Sequence, residues 1–162
     1  MHRDFTINSL FFDPFSNKIY DYTNGMADIK SLKLQTLVPA HFSFKEDCAR
    51  ILRGLRIAAR LGLSLSKDIE SAIHDLSSSI ESLGQFRIMM ELNYMLSYGA
   101  AAPSINLLRR FNLLGTFLPI HAAYLEQQAG NTSVVSSTML MKLFFNMDQL
   151  VSCDQPADCR LW

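Results

Sequence analysis

Residues 43–62, SFKEDCARILRGLRIAARLG, constrain this chain more than any other stretch. At ~100° per residue, Cys48, Ile51, Leu52, Leu55, Ala58, Ala59 and Gly62 fall within an arc of roughly 120°, which predicts one amphipathic helix packed on a core. Glu46, Arg50, Arg53, Arg56 and Arg60 fall on the other side, with Asp47 at its edge. Ser43 and Glu46 have capping-box spacing and mark the expected start. Ile57 and Leu61 lie among the arginines, so this charged face is expected to be partly covered rather than fully solvated.

The 162 residues, 49% of them hydrophobic, suffice for one ordinary domain or for joined parts of two small ones. The formal net charge is zero, so any site for a polyanion must be a local concentration of arginines. Cys48, Cys153 and Cys159 are an odd number without the paired spacing of a zinc site, which fits a reduced intracellular compartment. The N-terminus lacks an apolar signal region or a transit segment, and no run approaches the ~20 apolar residues of a membrane span. An intracellular chain without a membrane partner is therefore expected.

Taken in order, residues 3–13 read as a strand rich in Thr, Ile, Leu and Phe and closed by Asp13-Pro14. Residues 18–22 return as a second strand, predicting a hairpin. A short helix over 26–31 and a third strand over 33–38 follow. Beyond Gly62 the pattern predicts helices over 66–76, 85–98, 103–111, 119–126 and 139–151. Gly99 stops one of them, Pro119 opens another, and the polar stretch 127–137 is a linker. The fold class is thus mainly α, with a small β-hairpin piece at the front (α+β in the mixed sense). The expected divisions are 1–38, 39–126 and 127–162. Three short strands alone make a poor sheet, so they are expected to edge a larger one.

The usual catalytic signatures are missing: no GxGxxG, P-loop, nucleophile elbow or HExxH. His2, His41, His74 and His121 are scattered and read as ordinary surface or packed histidines. A two-metal site needs closely spaced carboxylates, whereas Asp13, Asp21 and Asp28 stand far apart near turns. No catalytic or metal-ligating residue is assigned.

Two constellations remain. On a strand, Asp4, Thr6 and Asn8 would share a face beside Arg3, three hydrogen-bonding groups suited to a sugar hydroxyl and a phosphate. The plainer alternative is an exposed strand face. On the central helix, Glu46 and Asp47 stand four and three residues from Arg50, so all three are neighbours. A carboxylate accepts from an exocyclic amine and a guanidinium donates to ring nitrogens or carbonyls, so Asp47 and Arg50 together could imitate a Watson–Crick edge. Arg53 and Arg56, a turn further on, would reach phosphates. The alternative is a capped helix with surface ion pairs.

These stretches resemble the class II tRNA nucleotidyltransferases and bacterial-type poly(A) polymerases. His2-Arg3-Asp4-Phe5-Thr6-Ile7-Asn8-Ser9-Leu10 is similar to the family's Arg-Arg-Asp-x-Thr-x-Asn-Ala motif. Asp21-Tyr22-Thr23-Asn24-Gly25-Met26-Ala27-Asp28-Ile29 looks like its hinge motif. Glu46-Asp47-x-x-Arg50-x-x-Arg53-x-x-Arg56 looks like its nucleobase-reading motif, and residues 87–118 look like its helical neck and body. The wording is most similar to plant members.

The resemblance implies that Asp47 and Arg50 template the incoming base while Glu46 orients the arginine. It places Arg3, Arg53 and Arg56 near the triphosphate and ribose, and Asp4 and Asn8 in ribose recognition. Asp21 and Gly25 would form the hinge that switches the pocket between CTP and ATP, and the helical part would hold RNA. Residues 1–38 would be the end of a nucleotidyltransferase head domain, and 39–126 the nucleobase- and RNA-binding neck and body. The family's Asp-x-Asp segment, which binds Mg²⁺ and triphosphate, would lie upstream of Arg3, and His2 replaces the motif's first arginine. The expectation is a truncated fragment of an enzyme adding AMP or CMP to tRNA or other RNA 3′ ends, inactive alone. The alternative is a non-catalytic RNA- or nucleotide-binding module, or a helical interaction module.

Overall fold

The central stretch folds as two helices, not one. The structure, a computed structural model, describes residues 3–129, 138–152 and 154–158. The readings of His2, Cys153, Cys159, the end of the chain and most of the 127–137 linker lie outside them. Two compact units, residues 1–82 and 83–162, make up the chain.

In the first unit, α2 spans Ala40–Glu46 and α3 spans Ala49–Leu61. Asp47 between them is extended, with φ −147° and ψ 101°. Its carboxylate accepts from the Ala49 amide at 3.2 Å, so the aspartate begins a new helix instead of continuing the old one. The expected start also moves. Pro39 precedes α2, and the Asp68 carboxylate takes the Ala40 amide at 2.7 Å. Ser43 therefore lies inside α2, buried, and forms no capping box with Glu46.

The predicted core stripe of α3 is buried at Ile51, Leu52, Leu55, Ala58 and Ala59. Gly54 widens it. A Cβ there would stand 3.1 Å from the Phe5 ring, and Phe5 and Leu34 are wholly buried. Gly62 ends α3 in the left-handed region at φ 63°, where glycine carries no Cβ penalty.

Residues 3–13 are not one strand. Phe5 makes an antiparallel bridge to Thr36, and Thr6–Asn8 then coils into a 3₁₀ turn. Asn8 draws the chain round by accepting from the Phe5 amide at 3.3 Å, and Ser9 donates to the Thr6 carbonyl at 3.0 Å. The alternation that would put Asp4, Thr6 and Asn8 on one face is lost. The expected hairpin is present: β1 (Phe11–Asp13) pairs antiparallel with β2 (Lys18–Tyr20), Phe11 opposite Tyr20. After α1 (Gly25–Lys30), β3 (Lys33–Leu34) pairs in parallel with β4 (Ser64–Leu65). Next comes α4 (Lys67–Leu76), capped as predicted by Ser66, which accepts from the Ile69 amide. A 3₁₀ segment, Ser77–Ser82, follows.

The second unit is helical among its described residues: α5 (Gln85–Leu96), α6 (Ala101–Arg110), α7 (Leu114–Phe117), α8 (Pro119–Ala129) and α9 (Met139–Leu150). Leu92, Met95, Ile105, Leu108, Leu125, Met141 and Phe144 form its interior. Asp148 on α9 accepts from the Ala101 and Ala102 amides at 2.7 and 2.9 Å, satisfying the open start of α6. The whole is mainly helical with a small β piece, as the sequence predicts.

One glycine is set by contact. A Cβ on Gly25 would lie 2.3 Å from the Thr6 carbonyl oxygen, inside any tolerable separation. Gly25→Ala is expected to lower stability by about 1–3 kcal/mol, the usual cost of forcing a methyl into packed structure, measured by chemical denaturation.

Candidate functional site

Two arginines of α3 converge on a buried carboxylate. Asp4 is 8% exposed. One of its oxygens takes the Arg50 Nε at 3.1 Å, and the other pairs with the Arg53 Nη1. A carboxylate removed from water needs such partners. It is delivered by the Phe5–Thr36 bridge and by the Leu37 amide, which donates to the Asp4 carbonyl.

Arg50 is fixed from a second side. Its Nη1 reaches Glu46 Oε2 at 2.7 Å, the Ser43 carbonyl at 3.1 Å and Ser43 Oγ at 3.2 Å. Glu46 orients Arg50 through the expected four-residue spacing. Ser43, read from the sequence as a cap, is instead an acceptor two turns before Arg50. Held at Nε and Nη1, the guanidinium has a set plane.

This cluster forms one wall of a cleft of about 450 Å³ lined also by Arg3, Ser9, Phe11, Thr23, Leu37, Val38 and Phe42. Its lining combines charged and polar groups with the apolar Phe11, Leu37, Val38 and Phe42. The volume lies within the range of small-molecule sites, and apolar side chains beside a fixed guanidinium suit a flat, hydrogen-bonding ring. Of the proposed residues, Arg3, Asp4, Glu46 and Arg50 line the cleft. Asn8 supports the Arg3–Ser9 backbone through the Phe5 amide, Arg53 pairs with Asp4, and Asp47 caps α3. Arg56 lies further along α3, half-buried.

Asp21 and Gly25 stand beneath this segment. The Asp21 carboxylate accepts from the amides of Met26 at 2.9 Å, Gly25 at 3.0 Å and Thr23 at 3.1 Å, fastening the start of α1. Sequence reasoning passed over a further contact. Asp28, 7% exposed, takes the Thr6 hydroxyl and the Gln35 amide, each at 2.6 Å. It ties α1 to the turn that carries Asp4. An acid seven residues after Asp21 on a short helix gives only a weak signal, because its partners are distant in sequence.

These carboxylates do not suit Mg²⁺, which needs free oxygens around an octahedral ion. Asp4 is engaged by two arginines, Asp28 by Thr6 and Gln35, and Asp21 by three amides. Among the described residues, no group of three or more His, Cys, Asp or Glu is placed to hold a metal ion.

Comparison with known proteins bears on this geometry. Residues 1–35 match the family model described as the poly A polymerase head domain, and 62–125 the one described as a probable RNA and SrmB-binding site of polymerase A. The chain is 31% identical over 126 residues to poly(A) polymerase I of Haemophilus influenzae, covering 78% of this chain and 28% of that protein. It is 29% identical over 127 residues to a CCA-adding enzyme of Staphylococcus epidermidis, covering 76% of this chain and 32% of the relative. Its fold matches the Bacillus stearothermophilus CCA-adding enzyme solved in complex with CTP, with a TM-score of 0.63 and 31% identity over 68% of this chain and 28% of that one. The chain thus spans about a third or less of the relatives it matches.

The Met26 amide above all, helped by those of Thr23 and Gly25, holds the Asp21 carboxyl below its usual range. A depressed folded-state pKa adds stability above the unfolded value and loses it as pH falls through the folded one. The stability advantage of the native chain over Asp21→Asn is therefore expected in full at neutral pH, to begin falling below about pH 4 and to be lost as pH drops through the lower folded-state pKa, checked by denaturation of both across that span.

Proposed function

We propose a function from one premise: this chain belongs to the family of bacterial-type poly(A) polymerases and CCA-adding enzymes. It is the part of an RNA 3′-end nucleotidyltransferase that receives ATP or CTP in the Asp4–Arg50 cleft and holds RNA on its helical portion. The observation that carries this reading is the Arg50 guanidinium, fixed by Asp4, Glu46 and Ser43 at the edge of an apolar-walled cleft. A guanidinium so held donates to the ring nitrogen and carbonyl acceptors of a base, while a carboxylate accepts from its exocyclic amine. Asp47, which caps α3 and lies outside the cleft lining, is the proposed carboxylate and would turn from the Ala49 amide to reach the base.

Arg3 on the cleft wall would meet the phosphates, with Arg53 and Arg56 behind it along α3. Asp4 would act on the ribose mainly by positioning the two arginines, and Asn8 by shaping the turn beneath. Asp21 and Gly25 would serve as the hinge, because the close approach of Gly25 to Thr6 couples α1 to the segment bearing Asp4. The solved complex of a CCA-adding enzyme with ATP, 25% identical to this chain, supports adenine as well as cytosine as the base. The division into a head remnant over 1–38, a neck and body over 39–126 and a terminal part over 127–162 belongs to the same proposal.

Phosphoryl transfer in this family would draw on metal ions held by carboxylates, which would neutralise charge on the triphosphate. The carboxylates beside the cleft are engaged by arginines and amides, so the isolated chain is expected not to extend RNA. Incubation with tRNA, labelled ATP or CTP and Mg²⁺ should give no labelled product, and any extension would overturn this.

Nucleotide binding gives the direct test. Calorimetric titration of the purified chain should detect ATP or CTP, and Arg50→Ala and Asp47→Ala should each weaken it by about tenfold or more, the loss of one charge-assisted base contact. A wild-type chain that binds neither nucleotide would leave only a helical interaction module.

A further inference from the structure

The β1–β2 hairpin exposes more aromatic surface than a solvated hairpin needs. Phe11 opposes Tyr20 in the register, so both share one face, and Tyr22, two residues on, continues it. The rings form a row. Phe11 and Tyr22 have centroids 6.3 Å apart and tilted by 60°, and Tyr22 and Tyr20 are 6.3 Å apart and nearly parallel at 8°. They are nevertheless 54%, 77% and 41% exposed. The row starts in the cleft, since Phe11 lines it together with Arg3 and Arg50.

Charge marks this face as well. Lys18, two residues before Tyr20, lies on the same side and is exposed at the outer end, while Arg3 stands at the inner end. Asp13 stands opposite Lys18 in the register and balances its charge while accepting from the Phe15 amide and the Ser16 hydroxyl. The opposite face presents Phe12 and Ile19, 60% and 57% exposed, paired with each other and apolar. That second face has the chemistry of one to be covered by protein. The first, a row of exposed rings that begins at the cleft, has the chemistry to stack on flat rings.

We propose that Phe11, Tyr22 and Tyr20 form a stacking platform for the bases of single-stranded RNA whose 3′ end reaches the Asp4–Arg50 cleft. This rests on the nucleotide reading of the cleft. Stacking on an aromatic ring tolerates any base, which suits a strand whose last residue changes with each addition. From Tyr22 to Lys18 the extended chain covers ~13 Å, so the platform serves a few nucleotides rather than a duplex.

The test uses the full chain and a fluorescein-labelled single-stranded oligoribonucleotide, read by anisotropy, beside calorimetric titration with ATP and CTP. Tyr22→Leu and Tyr20→Leu should each weaken RNA binding about tenfold, Tyr22→Phe should stay within about twofold of wild type, and mononucleotide binding should be unchanged, since one stacked base is lost. The opposite-face variant Phe12→Leu should leave RNA binding intact. Thermal melts confirm that each variant folds. The proposal is overturned if Tyr22→Leu and Tyr20→Leu bind the oligonucleotide like wild type. It is also overturned if Phe12→Leu weakens RNA as strongly, which would make the hairpin a general protein-docking surface. If the wild-type chain binds ATP or CTP but not RNA, the platform fails and the cleft reading stands. If it binds neither, both fail.

Discussion

A carboxylate that is nearly out of water organises the first unit. Asp4 carries a charge that burial would penalise heavily, and two guanidiniums from one helix offset that cost. The requirement runs both ways. Arg50 and Arg53 lie three apart, so they present side by side, and only a segment crossing α3 at that height can set one acid between them. The bridge of Phe5 to Thr36 provides that crossing, and Gly54 makes room for the Phe5 ring against the helix. Ion pair and apolar contact thus sit on adjacent residues and hold the same piece of chain.

Hydrogen bonds elsewhere extend this control. Thr6 follows Phe5, and its hydroxyl meets Asp28 while its carbonyl lies against Gly25. Asp21 holds the other end of that short helix by its amides. The segment bearing Asp4 is therefore gripped by α3 on one side and α1 on the other. Under the proposed hinge role, a rotation of α1 would reach Arg50 through Thr6 and Asp4.

Much of the site could be read from spacing alone, and the failures have physical causes. Glu46 with Arg50, the Ser66 cap and the buried stripe of α3 depend on neighbours within a few residues, and periodicity reports these directly. The strand expected over residues 3–13 failed because the Asn8 side chain competes for a backbone amide, as asparagine often does. The single long helix failed for a similar reason at Asp47, a residue as suited to starting a helix as to riding on one. Ser43 had the spacing of a cap, but Pro39 and Asp68 started the helix earlier and left it free to accept from Arg50.

By itself the sequence determined the helical character, the hairpin, the arginine-bearing face and the order of motifs that mark the family. These follow from side-chain period, turn residues and short-range charge spacing. The tertiary structure alone decided what the arginines do. Residues 4 and 53 are 49 apart in the chain, and Asp28 meets Thr6 across 22. No local pattern states that such residues touch, because their meeting depends on how Phe5 packs over Gly54 and on where the chain turns. The central stretch thus changed from one charged ruler into two helices, with an acid from the start of the chain fastened to the second.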